Sequence, residues 1–365
     1  MKKIALISNN DNIVFYFRRE IVEAFLQKGY FVYLITPVHG HLKRFEGEDN
    51  VEIIPIELER RGTNPLSDLK LFHLLLALLK EKKPDIVFTY TIKPNLYGSL
   101  ACKKLKIPCF PNITGLGDAM ENSGILRYLV MKLSHHCYKH DKGVFLQNQA
   151  NRSFFVENKI IKEKQIRMLP GSGVNLTRFK YIEYPSEKDG VRLLFVGRLI
   201  KDKGLFEFLE ATQHYMGNKK LSFSIAGSLD DSDYYVPRVL ERYNVTYLGL
   251  LPNPQELYSK YHVIVLPSYH EGMSNVLLEA AATGRPLITS NVPGCQETFE
   301  EGVSGFGCEP KDTDSLIKAI DRFLLLSEEE HVKLGEAGRK KMEKEFSRDL
   351  VVKEYMQTVL ETIGE

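Results

Sequence analysis

Short apolar runs alternate along the chain with longer segments in which apolar residues recur at helical spacing. Most runs in the first half are apolar almost throughout, as expected of strands buried on both faces of a parallel sheet. We predict strands at residues 3–8, 31–36, 51–55, 85–89, 109–113, 143–147 and 166–169. Helices are predicted between them at 15–28, which ends before Gly29, and at 66–82, which stops before Pro84.

The second half repeats this alternation. Its predicted strands are 192–196, 221–226, 245–248, 263–267, 286–290 and 305–308. Its predicted helices are 204–216, 234–243, 254–260, 275–282, 315–325 and 327–345. Strands that alternate with helices form parallel sheets with right-handed crossovers, so two consecutive sets predict an α/β protein of two doubly wound, Rossmann-like domains. Because ligands of such sheets bind beyond the carboxyl ends of the strands, we expect the domains to face a cleft that holds the site.

The domain limits are predicted from a polar segment without periodicity at residues 181–189 (YIEYPSEKD), which precedes a new strand. We interpret it as the linker between a first domain at 1–180 and a second domain at 190–347. The segment 348–363 has a helical pattern, follows a complete second set, and can pack back on the first domain.

Composition narrows the class of protein. The chain has 365 residues, of which 43% are hydrophobic and 26% charged, so it is globular rather than disordered or fibrous. Its five Cys form no CxxC pair, which argues against a disulfide framework or zinc cluster and favours a reducing compartment. The Asp-x-Asp spacing of Asp231 and Asp233 is interpreted as a loop, and no metal is expected. The longest apolar run, 74–79, is far shorter than the roughly 20 residues of a membrane-spanning helix.

Charge is distributed unevenly. Residues 1–180 contain 28 Lys and Arg against 17 Asp and Glu, a net +11, whereas residues 181–365 contain 21 against 30, a net −9. A basic half predicts an anionic partner, which is a lipid, a nucleic acid or a phosphorylated substrate. The basic segment 127–142 has apolar residues at helical spacing, which suits an anionic bilayer as well as an ordinary core-facing helix. No stacking motif or helix-turn-helix pattern supports nucleic-acid binding.

The first motif with chemical content is FVGRLIKDKG at residues 195–204. A buried strand ends at Gly197, which lets a ligand approach the backbone. Arg198 offers a bidentate fork for a phosphate, and Lys203 adds a point charge just before a helix. The pattern is typical of a diphosphate site, although a basic turn without a ligand has the same residues.

The second motif is PSYHEGMSNVLLEAAATG at residues 267–284. A polar loop follows a strand, and Ser274 or Asn275 can cap the helix that comes next. The N–H groups at such a helix start bind anions. Glu271 in the loop and Glu279 in the helix can line one side of the cleft, where a carboxylate accepts hydrogen bonds from vicinal sugar hydroxyls.

The order and spacing of these motifs, with the double α/β layout, resemble family 4 glycosyltransferases, which have the two-domain B-type fold. The family signature of two Glu separated by seven residues is matched by Glu271 and Glu279, and its strand-Gly-Arg element with a later Lys-Gly is matched within 197–204. Further segments that are similar to family loops are 171–175 with Phe179, 292–297 and 302–305. The resemblance covers nearly the whole chain.

The resemblance implies retaining transfer of a sugar from a nucleotide-sugar donor. Arg198 and Lys203 would then bind the donor diphosphate, and Glu279 would bind the ribose hydroxyls. Glu271 would lie over the donor sugar and stabilise developing positive charge, so the implied catalytic residues are Glu271, Arg198 and Lys203. The implied donor site also includes Gly197, Gly272, Met273, Ser274, Asn275 and, at the nucleobase, Leu250.

The first half resembles the subset of the family that builds lipid-linked surface oligosaccharides, such as enzymes that transfer N-acetylgalactosamine or a similar sugar to an undecaprenyl diphosphate-linked sugar. The similar segments are 15–19, TYTIKPNLYG at 89–98 and NITGLG at 112–117. The implied acceptor-side residues are Asn9, Arg18, Lys93, Asn95, Thr114 and Gly115. We expect Arg18 and Lys93 to bind phosphate. The chain departs from the family where it has Thr-Ile-Lys at 91–93 instead of a common His, and SNNDN at 8–12 instead of a common Gly pair.

We therefore expect a retaining glycosyltransferase that moves an N-acetylhexosamine or hexose from a UDP-sugar to a polyprenyl diphosphate-linked sugar in surface polysaccharide or glycan assembly. No metal or other cofactor is expected, and the enzyme is expected in the cytoplasm, peripherally on the inner face of the cytoplasmic membrane. The alternatives are a GDP- or ADP-sugar-dependent transferase, a UDP-sugar epimerase on the same fold, and a protein without catalytic activity that only binds a nucleotide or a membrane. A dinucleotide oxidoreductase and a P-loop NTPase are disfavoured, because neither GxGxxG after the first strand nor GxxxxGK[ST] is present.

Overall fold

The computed structural model describes residues 1–58, 64–115, 124–229, 236–250 and 253–364. The Asp-x-Asp spacing at 231–233 lies outside these ranges. The chain divides into two compact units. Unit 1 comprises Met1–Ser172 and Asp349–Glu365, and unit 2 comprises Gly173–Arg348.

Unit 1 is built on a parallel sheet that, in the described ranges, contains seven strands in the order β3-β2-β1-β4-β5-β6-β7. The strands are β1 (Lys3–Ile7), β2 (Phe31–Thr36), β3 (Val51–Pro55), β4 (Ile86–Tyr90), β5 (Cys109–Ile113), β6 (Val144–Leu146) and β7 (Ile166–Met168). Ile7 of β1 pairs with Ile35 of β2 on one side and with Thr89 of β4 on the other. The strand order reverses between β1 and β4, which is where open α/β sheets bind ligands.

The helices of unit 1 cover both faces of this sheet. In the described parts of residues 1–172 they are α1 (Arg19–Gln27), α2 (Pro65–Lys82), α3 (Ile92–Leu105), α4 (Ile125–Tyr138) and α5 (Gln149–Glu157), and the last helix of the chain adds to them. A π-helix, Ile13–Arg18, precedes α1 where the sequence predicts one α-helix over 15–28. Helix α3 was not predicted, because Pro94 and Gly98 interrupt its pattern, yet it packs against α2, α4 and β5. Tertiary packing thus overrides a weak helical propensity here.

Unit 2 repeats the architecture with a parallel sheet whose described strands run in the order β10-β9-β8-β11-β12-β13. The strands are β8 (Val191–Val196), β9 (Leu221–Ala226), β10 (Thr246–Tyr247), β11 (Val263–Leu266), β12 (Leu287–Ser290) and β13 (Gly305–Cys308). The helices are α6 (Leu205–His214), α7 (Val236–Leu240), α8 (Pro254–Tyr258), α9 (Asn275–Ala282), α10 (Thr313–Leu324) and α11 (Glu328–Glu345). Short 3-10 turns in the two units are His41–Phe45, Glu163–Gln165, Lys201–Lys203 and Gln296–Thr298. The predicted fold class, two parallel-sheet Rossmann-like domains, is confirmed.

The limits of the two units differ from the predicted division at 180 and 190. Val174 and Phe179 are buried in the core of unit 2, and the backbone at Val174 bonds with Phe346 at 2.8 Å and with Arg348 at 2.9 Å. These contacts place residues 173–180 in unit 2, ahead of the polar segment 181–189. The segment that was predicted as linker contains no helix or strand.

The helix α12 (Arg348–Ile363) belongs to unit 1 from Asp349 onward. Its residues Val351, Tyr355 and Val359 are buried in a core that includes Phe88 of β4 and Phe145 of β6. The ring of Tyr355 lies 4.9 Å from that of Phe88 and 4.7 Å from that of Phe145, measured between centroids. The Tyr355 hydroxyl accepts a 2.9 Å hydrogen bond from the Asn112 side chain, so α12 is fixed to the sheet by a polar contact as well.

The environment of helix α4 bears on the expectation that residues 127–142 lie on an anionic bilayer. Val130 and Leu133, which the sequence places on one apolar stripe, pack against a core cluster that contains the buried Cys137. That stripe therefore faces the protein, whereas Tyr128 and Leu129 are exposed. In the part of the chain that the structure describes, no helix combines the length and apolarity needed to cross a membrane.

Candidate active site

The two predicted motifs follow neighbouring strands. Residues 197–204 come after β8 and residues 267–274 come after β11, and β8 pairs with β11 in parallel register. The strand order of unit 2 reverses between these two strands, so both loops leave the sheet at its switch point. The parallel sheet thus brings together residues that are about 70 positions apart in the sequence.

The loop after β8 turns sharply at Gly204. This residue has φ of +71°, and a Cβ placed on it would lie 2.0 Å from the backbone oxygen of Pro267. Only glycine fits both the left-handed backbone and this close approach. The Tyr269 N–H and the Ser268 hydroxyl both donate to the Asp202 oxygen, at 2.9 and 3.1 Å, so the two loops are bonded to each other.

This packing brings Lys203 and Glu271 into direct contact. Lys203 Nζ donates to Glu271 Oε1 at 2.6 Å, and the two side chains are only 17% and 14% exposed. The sequence assigned both residues to one site without indicating that they form an ion pair. The neighbouring Arg198 side chain is exposed. The site therefore holds a half-buried ion pair, and the same loop carries an exposed arginine.

The helix α9 begins at Asn275 in the same loop cluster, as predicted. Ser274 occupies the N-cap position, but its side chain makes no capping hydrogen bond. Its carbonyl accepts from Leu278 at 3.1 Å, which begins the helical ladder. The first N–H groups of a helix have no partner within the helix, so the start of α9 offers donors to an anion. Gly272 adjoins this start, and Met273 and Ser274 are buried, so these residues contribute mainly backbone.

A third loop, residues 292–297, supports the start of α9. The Ser274 N–H donates to the Gly294 oxygen at 2.9 Å, and the Gly294 N–H donates to Glu297 Oε2 at 2.7 Å. Gly294 has φ of +83°, and a Cβ on it would lie 2.5 Å from the backbone oxygen of Glu271. The sequence marked this loop as family-like but gave its residues no role. Its role is to hold the backbone of residues 271–274 in place.

Glu279 lies one helical turn deeper than the loop. Burial raises the pKa of its carboxyl group from 4.5 to about 7, and the charges of Arg178 and Arg348 oppose that rise. The Tyr258 hydroxyl approaches its Oε2 at 3.5 Å, a long hydrogen bond. The sequence did not indicate the two arginines, because they lie far from α9 along the chain.

Leu250 follows β10 and is 73% exposed. An exposed apolar side chain of this kind can contact a flat ring, in line with the predicted nucleobase contact.

The predicted acceptor-side residues of unit 1 separate into different environments. Asn9 and Lys93 line one cavity of about 1070 Å³ at the carboxyl ends of the strands of unit 1. The cavity is lined by Asn9, Asn10, Pro37, Val38, His39, Pro55, Ile56, Glu57, Leu58, Ser67, Asp68, Lys70, Leu71, Leu74 and Lys93. Lys93 Nζ contacts Asp68 at 2.8 Å, and the Tyr97 hydroxyl donates to the same carboxylate at 2.8 Å.

Asn95 and Arg18 point into the protein. Asn95 accepts from the Thr89 hydroxyl at 2.7 Å and donates to the Asn112 oxygen at 2.9 Å, so it ties β4 to β5. Arg18 is 1% exposed, and its guanidinium lies over the Tyr90 ring at 4.9 Å. Because a π-helix turns more widely than an α-helix, α-helical spacing could not give the direction of Arg18. Both roles predicted for these residues remain predictions.

Thr114 is exposed and Gly115 half-buried directly after β5. The rest of the NITGLG motif, at 116–117, lies outside the described ranges. These two residues therefore adjoin the carboxyl edge of the sheet, where their motif was expected to act.

Thr91 lies at this edge, and the sequence marked it only as part of a departure from the family, without a role. It follows β4 with φ of +71° and ψ of 164°, a strained backbone for a β-branched residue. Its hydroxyl oxygen is buried and makes no hydrogen bond to any residue in the described ranges. Strained backbone of this kind is concentrated at functional sites, and Thr91 lies at the switch point between β1 and β4.

Two family models match the chain. "Glycosyl transferase 4-like" matches residues 3–134, and "Glycosyl transferases group 1" matches residues 179–341. The matched segments fall on unit 1 and unit 2 respectively. The Lys203–Glu271 pair and the start of α9 lie within the second match.

Curated relatives match over much of their length. A Campylobacter jejuni N,N'-diacetylbacillosaminyl-diphospho-undecaprenol alpha-1,3-N-acetylgalactosaminyltransferase is 26% identical, over 97% of this chain and 97% of its own. An Escherichia coli UDP-Gal:alpha-D-GlcNAc-diphosphoundecaprenol alpha-1,3-galactosyltransferase is 26% identical, over 75% of each chain. The solved structure of Anabaena Alr3699/HepE with UDP and glucose has a TM-score of 0.80 and 15% identity, over 99% of this chain and 100% of that one, which shows the shared fold.

These matches define the class of the protein, which is a glycosyltransferase. More particularly, the chain combines a Glycosyl transferase 4-like domain with a Glycosyl transferases group 1 domain, on the fold of the B-type glycosyltransferases. The resemblance drawn from the two sequence motifs is thereby confirmed. The donor, the stereochemistry and the site residues remain predictions.

Proposed function

We propose that this glycosyltransferase transfers a sugar from a UDP-sugar to a polyprenyl diphosphate-linked sugar, with retention of configuration, in surface polysaccharide or glycan assembly. The observation that carries the proposal is the Lys203–Glu271 pair, which lies beside the start of α9 at the switch point of unit 2. This arrangement places a cation and helix N–H groups where a diphosphate can bind, next to a carboxylate that can face a sugar.

The donor would bind with its diphosphate between the cations and the helix start. Arg198 supplies a fork for two phosphate oxygens, and Lys203 can share its charge between the phosphate and Glu271. The backbone at the start of α9 supplies N–H donors, apart from the Ser274 N–H, which is bonded to the Gly294 oxygen. The Glu279 carboxylate accepts from the ribose hydroxyls, and Leu250 covers the base. These groups meet the charge of the diphosphate with protein donors, so the proposal includes no metal ion or other cofactor.

The chemical step would be a front-side displacement. The bond between the anomeric carbon and the diphosphate oxygen breaks, and the acceptor hydroxyl oxygen forms a new bond to the same face of that carbon. The acceptor proton passes to the departing phosphate oxygen, and the resulting charge is held by Arg198, Lys203 and the start of α9. Glu271 would stabilise the positive charge that develops on the sugar ring.

The names of the relatives support the substrates. The two curated relatives act on undecaprenol diphosphate-linked sugars, and the E. coli relative is named for a UDP-sugar donor. An N-acetylhexosamine or a hexose is therefore the proposed donor sugar. The cavity of unit 1 that contains Asn9 and Lys93 is the proposed site of the acceptor head group. Thr114 and Gly115, which follow β5, and the buried Arg18 and Asn95 are proposed as further acceptor-side residues outside this cavity.

A lipid-linked acceptor would place the enzyme at a membrane. Unit 1 contains 27 Lys and Arg against 21 Asp and Glu, a net charge of +6, so it suits an anionic surface. We propose a cytoplasmic enzyme that binds peripherally to the inner face of the cytoplasmic membrane and has no nucleic-acid partner. A GDP- or ADP-sugar donor, a UDP-sugar epimerase and a nucleotide-binding protein without turnover are the alternatives for the test.

The test is turnover of a panel of UDP-, GDP- and ADP-sugars, with and without an undecaprenyl diphosphate-linked sugar. Transfer from a UDP-sugar that needs the acceptor, with the anomeric configuration retained in the product by NMR, is expected. Conversion of a UDP-sugar without acceptor would point to the epimerase, and an inverted product would remove the front-side mechanism. Turnover with none of the donors, in a protein that binds UDP, would leave only the binding role.

A matched pair of variants connects turnover to the site. Lys203→Ala should abolish most activity, whereas Lys201→Ala, an exposed lysine of the same turn, should retain it. Equal activity of the two variants would show that the ion pair is not part of the donor site.

A further inference from the structure

Three polar side chains from two helices meet at the cavity of unit 1. Asp68 lies in the first turn of α2, whereas Lys93 and Tyr97 lie four residues apart on α3, and the two helices pack against each other. Lys93 Nζ contacts Asp68 Oδ1 at 2.8 Å, and the Tyr97 hydroxyl donates to Asp68 Oδ2 at 2.8 Å. Asp68 and Lys93 line the cavity of about 1070 Å³, so a ligand in it would meet a carboxylate and an ammonium side by side.

The charge of this cavity does not favour a phosphate. In the described residues its lining carries two carboxylates and two lysines, which sum to zero with histidine neutral: Glu57, Asp68, Lys70 and Lys93. The ammonium of Lys93 is already paired with Asp68. Asp68 also occupies the first turn of α2, where the helix dipole favours an anion, so a carboxylate of the protein holds the place that would suit a phosphate. A diphosphate in this cavity would therefore lie beside like charges.

The ion pair has unused capacity for neutral polar groups of a ligand. Asp68 Oδ1 is buried and accepts no aligned hydrogen bond from any described residue, although Lys93 Nζ contacts it. A buried acceptor without a donor is costly, so a ligand group that donates to it is favoured. The ammonium has three N–H donors and can serve a ligand oxygen while it stays beside the carboxylate. Because the side chains of Asp68 and Lys93 are 20% and 15% exposed, such a group can reach the pair from the cavity.

The remaining lining of the cavity is largely apolar. Its apolar members are Pro37, Val38, Pro55, Ile56, Leu58, Leu71 and Leu74. Val38 and Leu74 are 40% and 39% exposed, so aliphatic surface is available to a ligand. An N-acetyl group matches both parts of this lining, because its N–H can donate to a carboxylate, its carbonyl oxygen can accept from an ammonium, and its methyl group can pack on aliphatic side chains. A sugar hydroxyl has no such methyl group.

We propose that Asp68 and Lys93 select the sugar of the acceptor and that this sugar carries an N-acetyl group. Asp68 accepts from the N–H or a neighbouring hydroxyl, Lys93 donates to the acetyl oxygen, and the diphosphate of the acceptor lies outside this cavity. Tyr97 is a positioning residue, because it acts on the ligand only by holding Asp68 Oδ2. The inference rests on the proposed function, since it concerns the acceptor of that reaction.

The first test measures binding without turnover. Methyl N-acetyl-α-glucosaminide, methyl α-glucoside and inorganic diphosphate are titrated separately into the protein and followed by ligand-observed NMR. The wild type should bind the N-acetylated probe at least about tenfold more tightly than the glucoside, and Asp68→Asn and Lys93→Met should lose this preference. Glu81→Gln, which changes an exposed carboxylate at the other end of α2, should keep it. Inorganic diphosphate should bind all four proteins equally.

The outcomes separate sugar recognition from the alternatives. Weaker binding of diphosphate to Lys93→Met would overturn the inference, because Lys93 would then bind phosphate. Equal affinity of the wild type for the two sugar probes, no binding of either, or an unchanged preference in both variants would also overturn it. Because no step of this test needs turnover, a protein that binds the N-acetylated probe through Asp68 and transfers no sugar would refute the proposed function without touching the recognition by the cavity.

A further variant keeps the inference testable if a change of charge disturbs α2. Tyr97→Phe removes one hydroxyl and leaves the ion pair in place. With undecaprenyl diphosphate-linked N-acetylglucosamine as acceptor, it should raise the KM of the acceptor several-fold and leave kcat and the KM of the UDP-sugar unchanged. Tyr128→Phe, an exposed tyrosine of α4, should change none of these values. An unchanged acceptor KM, or an equal rise of both KM values, would overturn the positioning role of Tyr97.

Discussion

Glu279 should couple nucleotide binding to pH. Burial raises the pKa of its carboxyl group from 4.5 to about 7, although the charges of Arg178 and Arg348 oppose the rise. The ionised form accepts hydrogen bonds from two vicinal hydroxyls, and the protonated form loses part of that capacity. If Glu279 holds the ribose, UDP binds the ionised form and releases the proton.

The size of the effect follows from this pKa. If only the ionised carboxylate binds, the dissociation constant of UDP rises about tenfold for each pH unit below the pKa. UDP should therefore bind about tenfold more weakly at pH 6 than at pH 8. The Glu279→Gln variant should bind UDP less tightly than the wild type at pH 8. Its affinity for UDP should hardly change with pH, because the amide does not titrate.

The same shift has a consequence for stability without ligand. The pKa of Glu279 is about 7 in the folded protein and 4.5 in the unfolded chain. Protonation of Glu279 therefore favours the folded state, and this contribution to the free energy of unfolding is complete below pH 4.5 and is lost as the pH rises through 7. The loss is at most about 3 kcal/mol. Glu279→Gln should therefore be more stable than the wild type at pH 8, and the difference should shrink towards pH 5.

The assay is calorimetric titration of UDP into both proteins between about pH 6 and 8, with thermal unfolding between about pH 5 and 8. The terminal phosphate of the nucleotide itself titrates near pH 6, but this affects both proteins equally and cancels in the comparison. Parallel pH profiles for the wild type and Glu279→Gln would refute the reasoning. They would mean that Glu279 either does not contact UDP or stays ionised throughout.

Three further predictions concern the supports of the two sites. Lys203→Ala should lower kcat/KM at least about a hundredfold, because the diphosphate loses a cation and Glu271 loses its partner; an unchanged kcat/KM in steady-state kinetics would contradict the proposed donor site. Gly204→Ala should lower the free energy of unfolding by several kcal/mol, because its Cβ would lie 2.0 Å from the Pro267 oxygen; a melting temperature equal to that of the wild type would show that the turn relaxes. Asn95→Ala should cost about 2 kcal/mol in denaturant unfolding, because two buried hydrogen bonds are lost, while UDP binding persists; weakened UDP binding would instead give Asn95 a role beyond unit 1.

Much of the fold could be predicted from the sequence because parallel strands that are buried on both faces form near-continuous apolar runs. The helix at Asn275–Ala282 was predicted with the correct limits, since a polar loop precedes it and glycine follows it. Because strands β8 and β11 run parallel, the motifs that follow them leave the sheet at the same edge. The two loops were expected to lie together on this basis, without any knowledge of tertiary contacts, and they do.

The remaining features depend on contacts between distant residues. The pairing of Lys203 with Glu271 arises from the packing of the turn at Gly204 on the end of β11, which no local pattern reveals. That Arg348 acts on Glu279 could not be predicted, because the sequence does not show that the chain at Arg348 returns to Val174 at the start of unit 2. Arg18 was expected to bind phosphate because its segment is similar to a family segment, and only the structure shows that its side chain is buried over the Tyr90 ring.

The chain passes from unit 1 to unit 2 after Ser172 and returns at Asp349, which has a consequence for how the protein is made. At a synthesis rate of about 5 to 20 residues per second, the 176 residues of unit 2 take roughly 10 to 35 s to appear. During that time the nascent sheet of unit 1 exposes Phe88 and Phe145, because Tyr355 has not yet been translated. Unit 2 can finish folding first, although it is encoded later. A ribosome carrying the unfinished chain therefore displays an open aromatic face, which a chaperone that recognises apolar surface can cover until α12 arrives.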